Sequence, residues 1–126
     1  MKTVIYTSNA PEPIGPYSQA IIAGNLVFVS GQIAINPSTN QLVLGDIKTE
    51  TKQVMENIKA ILTEAGIDFS HIIKTTIFLM DMQNFAQVNE IYGTYFTSEF
   101  PARETVQVAG LPKGVNVEIS VTAIKS

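Results

Sequence analysis

An α+β fold, a mixed β-sheet with two helices packed on one face, is predicted by three observations. Two segments, Ile47 to Ala65 and Phe85 to Phe96, repeat apolar residues at spacings of three and four. Six other segments are short, rich in Val, Ile, Thr and Phe, and separated by Gly, Pro and Asn. Several of these strands are apolar on both parities, so each face of the sheet must be covered. Two helices cover one face only; a homo-oligomer is the simple way to cover the other, and buried loops are the alternative.

The elements follow in the order β-β-β-α-β-α-β-β. A short first strand leads into Ser8 to Tyr17, where Pro11, Pro13 and Pro16 fix φ and remove donors, so this stretch reads as an extended loop. Gln19 to Ala23 and Leu26 to Gly31 form two strands around a Gly24-Asn25 hairpin turn. Asp46 caps the first helix, whose inward stripe is Ile47, Thr51, Val54, Ile58, Ile61, Leu62 and Ala65. Gly66 ends it. Ile72 to Met80 is a strand. The second helix, capped by Asp81 or Asn84, turns Phe85, Val88, Tyr92 and Tyr95/Phe96 inward and stops at Pro101. Arg103 to Ala109 and Val115 to Ile124 close the chain as β-rich segments.

The 126 residues fit a single domain, 1–126, with 45% hydrophobic and 15% charged residues. A net charge of −3 lacks the basic footprint of a phosphate-binding protein and argues against nucleic acid. With no cysteine there is no disulfide, zinc-thiolate site or thiol nucleophile. His71 is the only histidine, which argues against a histidine metal cluster or a Ser-His-Asp triad within one subunit. At the start of a strand it reads as a surface or hydrogen-bonded residue. The first residues lack the apolar core of a signal peptide, and the longest apolar stretch, Ala20 to Val29, is too short to span a membrane. A cytoplasmic protein is expected.

The chemistry is sought in the last two strands. Arg103, Thr105 and Gln107 share one parity, and Asn116, Glu118, Ser120 and Thr122 share another. Alternation by itself fits two polar solvent faces. Glu is disfavoured in strands, however, and Arg103 follows the rigid Pro101-Ala102 stop. A guanidinium held rigidly can grip a carboxylate bidentately, and a strand carboxylate can activate water. A simple hairpin centred on Pro112-Lys113 would set Glu118 opposite Gln107 and hold Arg103 about 13 Å away along the sheet. That gap requires long side chains or a second subunit. Tyr17, at the end of the proline loop, and Ser30-Gly31, at the end of a buried strand, are further candidates, since Gly31 permits close approach of a ligand.

Five segments carry a resemblance: Ile14-Gly15-Pro16-Tyr17-Ser18-Gln19; Val29-Ser30-Gly31-Gln32-Ile33; Val88-Asn89-Glu90-Ile91-Tyr92; Phe100-Pro101-Ala102-Arg103 through Leu111-Pro112-Lys113-Gly114; and Val117-Glu118-Ile119. In this order they closely resemble the YjgF/Rid family of reactive-intermediate (imine/enamine) deaminases, from Asn9 to Ala123. The resemblance implies a Bacillus chorismate mutase-like fold and a homotrimer with sites between subunits. It also implies that the last strand inserts centrally, beside the strand ending at Ser30, which contradicts the hairpin.

In its arginine motif and C-terminal glutamate the chain is similar to RidA-type members, which hydrolyse 2-iminopropanoate and 2-iminobutanoate to 2-oxo acids and ammonia. Carried over, Arg103 clamps the substrate carboxylate and Glu118 positions or activates water. Tyr17, Ser30 and the Gly31 backbone line the pocket, and Asn89 contributes from its edge. The resemblance implies no metal or organic cofactor, because a protonated imine is already electrophilic. RidA-type members usually carry a cysteine two residues after the arginine, where this chain has Thr105. Threonine preserves a role exercised through the backbone carbonyl and loses one that needs the thiol. Two alternatives stay open: a trimeric sensor of small carboxylates acting on a partner, and an RNA-directed inhibitor of translation, which the acidic charge disfavours.

Overall fold

Strand registers set the architecture. The computed structural model describes residues 1–125 and contains β1 (Lys2–Ile5), β2 (Ala20–Ala23), β3 (Leu26–Gln32), β4 (Ile35–Asn36) and β5 (Gln41–Leu42). These are followed by α1 (Ile47–Glu64), β6 (Ile72–Leu79), α2 (Phe85–Gly93), β7 (Ala102–Gln107) and β8 (Val117–Ile124). Six strands form one mixed sheet in the order β1-β2-β3-β8-β6-β7, while β4 and β5 pair separately as a small hairpin that the sequence patterning did not reveal. Among the described residues no helix is long and apolar enough to cross a membrane.

The hairpin of the last two strands does not form. Strand β7 pairs in parallel with β6, through the α2 crossover, and β8 lies between β3 and β6, antiparallel to both. Burial explains the choice. In β8, Val117, Ile119, Val121 and Ala123 are buried and the intervening residues are half-buried, the pattern of a central strand. In β7, Ala102, Glu104, Val106 and Gln107 are exposed, which suits an edge.

Both helices pack on one face. Asp46 caps α1 by accepting from the Thr49 backbone N–H at 2.9 Å, and Val54, Met55, Ile58, Ile61 and Leu62 are buried against Val27, Val29, Ile77 and Ile119. Truncating one of these aliphatic side chains to alanine costs about 2–5 kcal/mol. Gly66 takes φ +80° after the helix, and Lys125 Nζ donates to the Ala65 carbonyl at 2.6 Å.

The two proposed caps of the second helix separate. Asp81 caps a 3-10 turn, Met82–Asn84, whereas Asn84 precedes α2 without a side-chain bond. Helix α2 ends at Gly93, well before Pro101, because the chain tightens there into i→i+3 bonds from Thr94, Tyr95 and Phe96. Phe85 is 37% exposed and is therefore not part of the core stripe, in which Val88 and Tyr92 remain.

The other face of the sheet is open. It presents Val4, Phe28 and Val106 at 57%, 46% and 40% exposure, together with Thr76, Phe78, Glu104, Glu118, Ser120 and Thr122.

Candidate functional site

A bulge organises the Glu118 side. One residue, Ser120, lies between Ile119 and Val121 on β8, and two, Ser30 and Gly31, lie between their partners Val29 and Gln32 on β3, so β3 carries an extra residue there. Ser30 is tied down: its N–H donates to the Gln19 carbonyl at 2.9 Å and its hydroxyl to the Ser18 carbonyl at 2.6 Å. The absence of a side chain at Gly31 makes room for Glu118. A Cβ there would fall 2.8 Å from both Cδ and Oε2 of the Glu118 carboxyl, far inside contact distance.

The Glu118 carboxyl is half-buried, and desolvation pushes its pKa above the ordinary value of 4.5. Tyr17 closes the group from the proline loop, its hydroxyl accepting from the Ile14 N–H at 3.2 Å. Tyr17, Ser30, Gly31 and Glu118 line one open depression of about 260 Å³. The loop behind Tyr17 is anchored by buried Gln19, whose side chain accepts from Thr7 N–H at 2.7 Å and donates to the carbonyls of Thr7 and Pro11 at 3.0 and 2.9 Å.

Arg103 lies elsewhere. Its register partner is Thr75, which in turn pairs with Val121, and both of these are buried under the helices. Glu118 instead pairs with Phe78, on the open face. Paired residues share a face, so Arg103 and Glu118 project from opposite sides of the sheet. Three residues along the strands and two strand spacings across separate their backbones by roughly 14 Å. The hairpin expectation gave a similar gap for a topology that does not occur; the real obstacle is the sheet itself.

The guanidinium of Arg103 sits between two aromatic rings, with Cζ 5.1 Å from the Tyr92 centroid and 5.7 Å from that of Phe85. Among the described residues no carboxylate forms an ion pair with it. Arg103, Asn89, Tyr92, Gly93, Phe100 and Pro101 line a second depression, of about 520 Å³. Thr105 follows on the same face as Arg103, its hydroxyl buried and without a hydrogen-bond partner. Glu104 points the other way, as alternation requires, accepting from Thr76 at 2.6 Å and pairing with Lys74 at 3.2 Å.

The sequence candidates therefore fall into two groups: Tyr17, Ser30, Gly31 and Glu118 on the open face, and Arg103, Asn89 and Thr105 on the helix side. His71 serves structure, closing a capping box with Asp68 at 3.1–3.2 Å. Sequence reasoning missed Glu50. Only 1% exposed, it accepts from Asn116 N–H, Val117 N–H and Asn116 Nδ2 at 2.7, 3.2 and 2.8 Å, fixing the start of β8 just before Glu118. The signal was available: Glu50 lies four residues before Val54, on the buried stripe of α1. It also missed Tyr92 and Phe85, read as core, as the rings that flank Arg103.

The family model described as Endoribonuclease L-PSP matches residues 7–125. A RutC family protein of Pyrococcus horikoshii is 56% identical over 125 residues, covering 99% of each chain. The 2-iminobutanoate/2-iminopropanoate deaminase of Homo sapiens is 49% identical, covering 99% of this chain and 91% of its own. A Yersinia pestis protein of the Rid family superimposes with a TM-score of 0.96 at 53% identity, covering 98% and 99% of the two chains. Sequence, fold and the order of the motifs agree: this chain belongs to the YjgF/Rid family.

Proposed function

We propose that this protein, as one YjgF/RidA-like domain over 1–126, hydrolyses small 2-imino acids such as 2-iminopropanoate and 2-iminobutanoate to 2-oxo acids and ammonia. The observation that carries the reading is Arg103, which pairs with no carboxylate among the described residues and lies beside an open depression, in a chain whose Glu118 lines another. Human and other mammalian relatives named for this activity support it. The opposite faces of the two groups favour a homotrimer of the Bacillus chorismate mutase type, in which Arg103 of one subunit faces Glu118, Tyr17 and Ser30 of the next. The open face, where Val4, Phe28 and Val106 are exposed among polar residues, is the surface such an assembly would cover.

In this reading Arg103 holds the substrate carboxylate through its planar fork. Asn89 supports the substrate from the rim, and Thr105 contributes through its backbone. Glu118 takes a proton from water as the oxygen attacks the C=N carbon of the protonated imine. A tetrahedral carbinolamine forms and the carboxyl returns that proton to nitrogen. As the C–N bond breaks to release ammonia, the Glu118 carboxylate takes the carbinolamine hydroxyl proton, leaving the C=O of the 2-oxo acid, and then loses the proton to solvent. The raised pKa of Glu118 suits a group that both accepts and returns a proton. Tyr17, Ser30 and the Gly31 backbone orient the imine and the water, and no cofactor is required.

A coupled assay tests this. Threonine dehydratase supplies the imine, and the protein should speed release of 2-oxobutanoate beyond hydrolysis in buffer. Arg103→Ala should abolish the gain, and no acceleration by the unmodified protein sinks the proposal for that substrate. Thr105, where RidA-type members usually carry cysteine, favours a second reading as a carboxylate sensor. Calorimetric binding of 2-oxobutanoate without turnover would select it.

A further inference from the structure

Arg103 is held by rings, not by an acid. Phe85 and Tyr92 are seven residues apart on α2, so two helical turns bring both rings to one side of the helix, where the guanidinium lies between them at 5.7 and 5.1 Å. Tyr92 is itself immobilised. It is 4% exposed, and its hydroxyl donates to Thr75 Oγ1 at 2.9 Å, in the strand beside Arg103 and directly across from it in the ladder. Burial pushes the Tyr92 phenol's pKa up, which keeps that donor protonated.

A ring face and a carboxylate would both steady a cation, with different consequences. A carboxylate would occupy the N–H fork and neutralise the charge. An aromatic face attracts the cation through its quadrupole and leaves the in-plane N–H donors available. We infer that Tyr92, anchored on Thr75, and Phe85 are positioning residues that aim the Arg103 fork at a ligand carboxylate while leaving its donors unused. This deepens the proposed reading of the site and rests on it.

The test compares full-length unmodified protein with Tyr92→Phe, Tyr92→Leu and Phe85→Leu. Calorimetry with 2-oxobutanoate should show binding weakened about three- to thirty-fold by each leucine variant, the range expected for a cation–π contact. Steady-state kinetics should place this loss mainly in KM, with kcat less affected. Tyr92→Phe, which keeps the ring, should recover most of the affinity. Melting curves identify a Tyr92→Leu protein that is poorly folded, and Phe85→Leu, at a partly exposed position, then carries the test. Leucine variants that bind 2-oxobutanoate as tightly as the unmodified protein overturn the inference. If the unmodified protein neither binds 2-oxobutanoate nor accelerates its release, the deaminase reading fails instead. The side-chain Nε–H resonance of Arg103 then decides the positioning role. It should move when either ring is replaced by leucine, and an unmoved resonance overturns the role.

Discussion

The two sides of the sheet hold their polar groups by opposite means. Arg103 is steadied by two aromatic faces, and among the described residues no carboxylate pairs with it. Glu118 is half-buried over a glycine bulge, where the open space at Gly31 receives a carboxyl that desolvation pushes toward its neutral form. The aromatic faces leave the in-plane N–H donors of the guanidinium open, while desolvation disfavours the charged form of the acid. That division matches a binding group on one side and a proton-transfer group on the other.

The sharpest way to break the comparison is to remove each function separately. Glu118→Gln should lower kcat about 10²- to 10⁴-fold in the coupled assay, with 2-oxobutanoate affinity nearly unchanged. Arg103→Ala should instead weaken carboxylate binding by roughly two to three orders of magnitude, which by itself removes the acceleration at the low imine concentrations of the coupled assay. If both variants lose affinity and turnover in equal measure, the division of labour is wrong.

Glu50→Ala tests whether Glu118 depends on a fixed start of β8. It strips three donors of their acceptor and should cost roughly 3 kcal/mol in denaturant unfolding. An unfolding midpoint like that of the unmodified protein would mean that β8 holds itself in place.

Gly31→Ala probes the glycine gap. The new methyl group must displace the Glu118 carboxyl, and kcat should fall on the order of 10²-fold while the fold persists. Unchanged turnover would show that the carboxyl need not sit there.

The smallest expected effect concerns pH. The folded pKa of Glu118 lies above 4.5, so the fold disfavours the charged carboxylate. Its contribution to stability is therefore present below pH 4.5 and is lost as pH rises through the folded value. Glu118→Gln should melt slightly higher than the unmodified protein at pH 7, with the difference vanishing in acid. The acid limb of kcat/KM should also lie above the usual carboxylate range.

How much of this was legible beforehand depended on whether the information was local. The α1 stripe and its Asp46 cap, the Gly24-Asn25 turn and the proline loop all follow from side-chain spacing and backbone restriction within a few residues. The central place of β8 came from the family resemblance, and the structure agrees; spacing alone suggested a hairpin, because sequence neighbours in antiparallel order pair most cheaply. Glu50 could have been read from its place on the buried stripe, had a charged residue there been weighed as a buried acceptor.

By itself the sequence determined an α+β chain with two amphipathic helices, strands apolar on both parities, and polar candidates at Tyr17, Ser30, Asn89, Arg103, Thr105 and Glu118. Parity along a strand says that residues alternate, but not which face meets the helices. Only the tertiary structure decided that the parity of Arg103 turns under α2 while that of Glu118 turns outward. The reason is physical. The assignment is made by the burial of Thr75, Ile77 and Leu79 on β6, the strand between the two, which orients both neighbours through the hydrogen-bonded ladder.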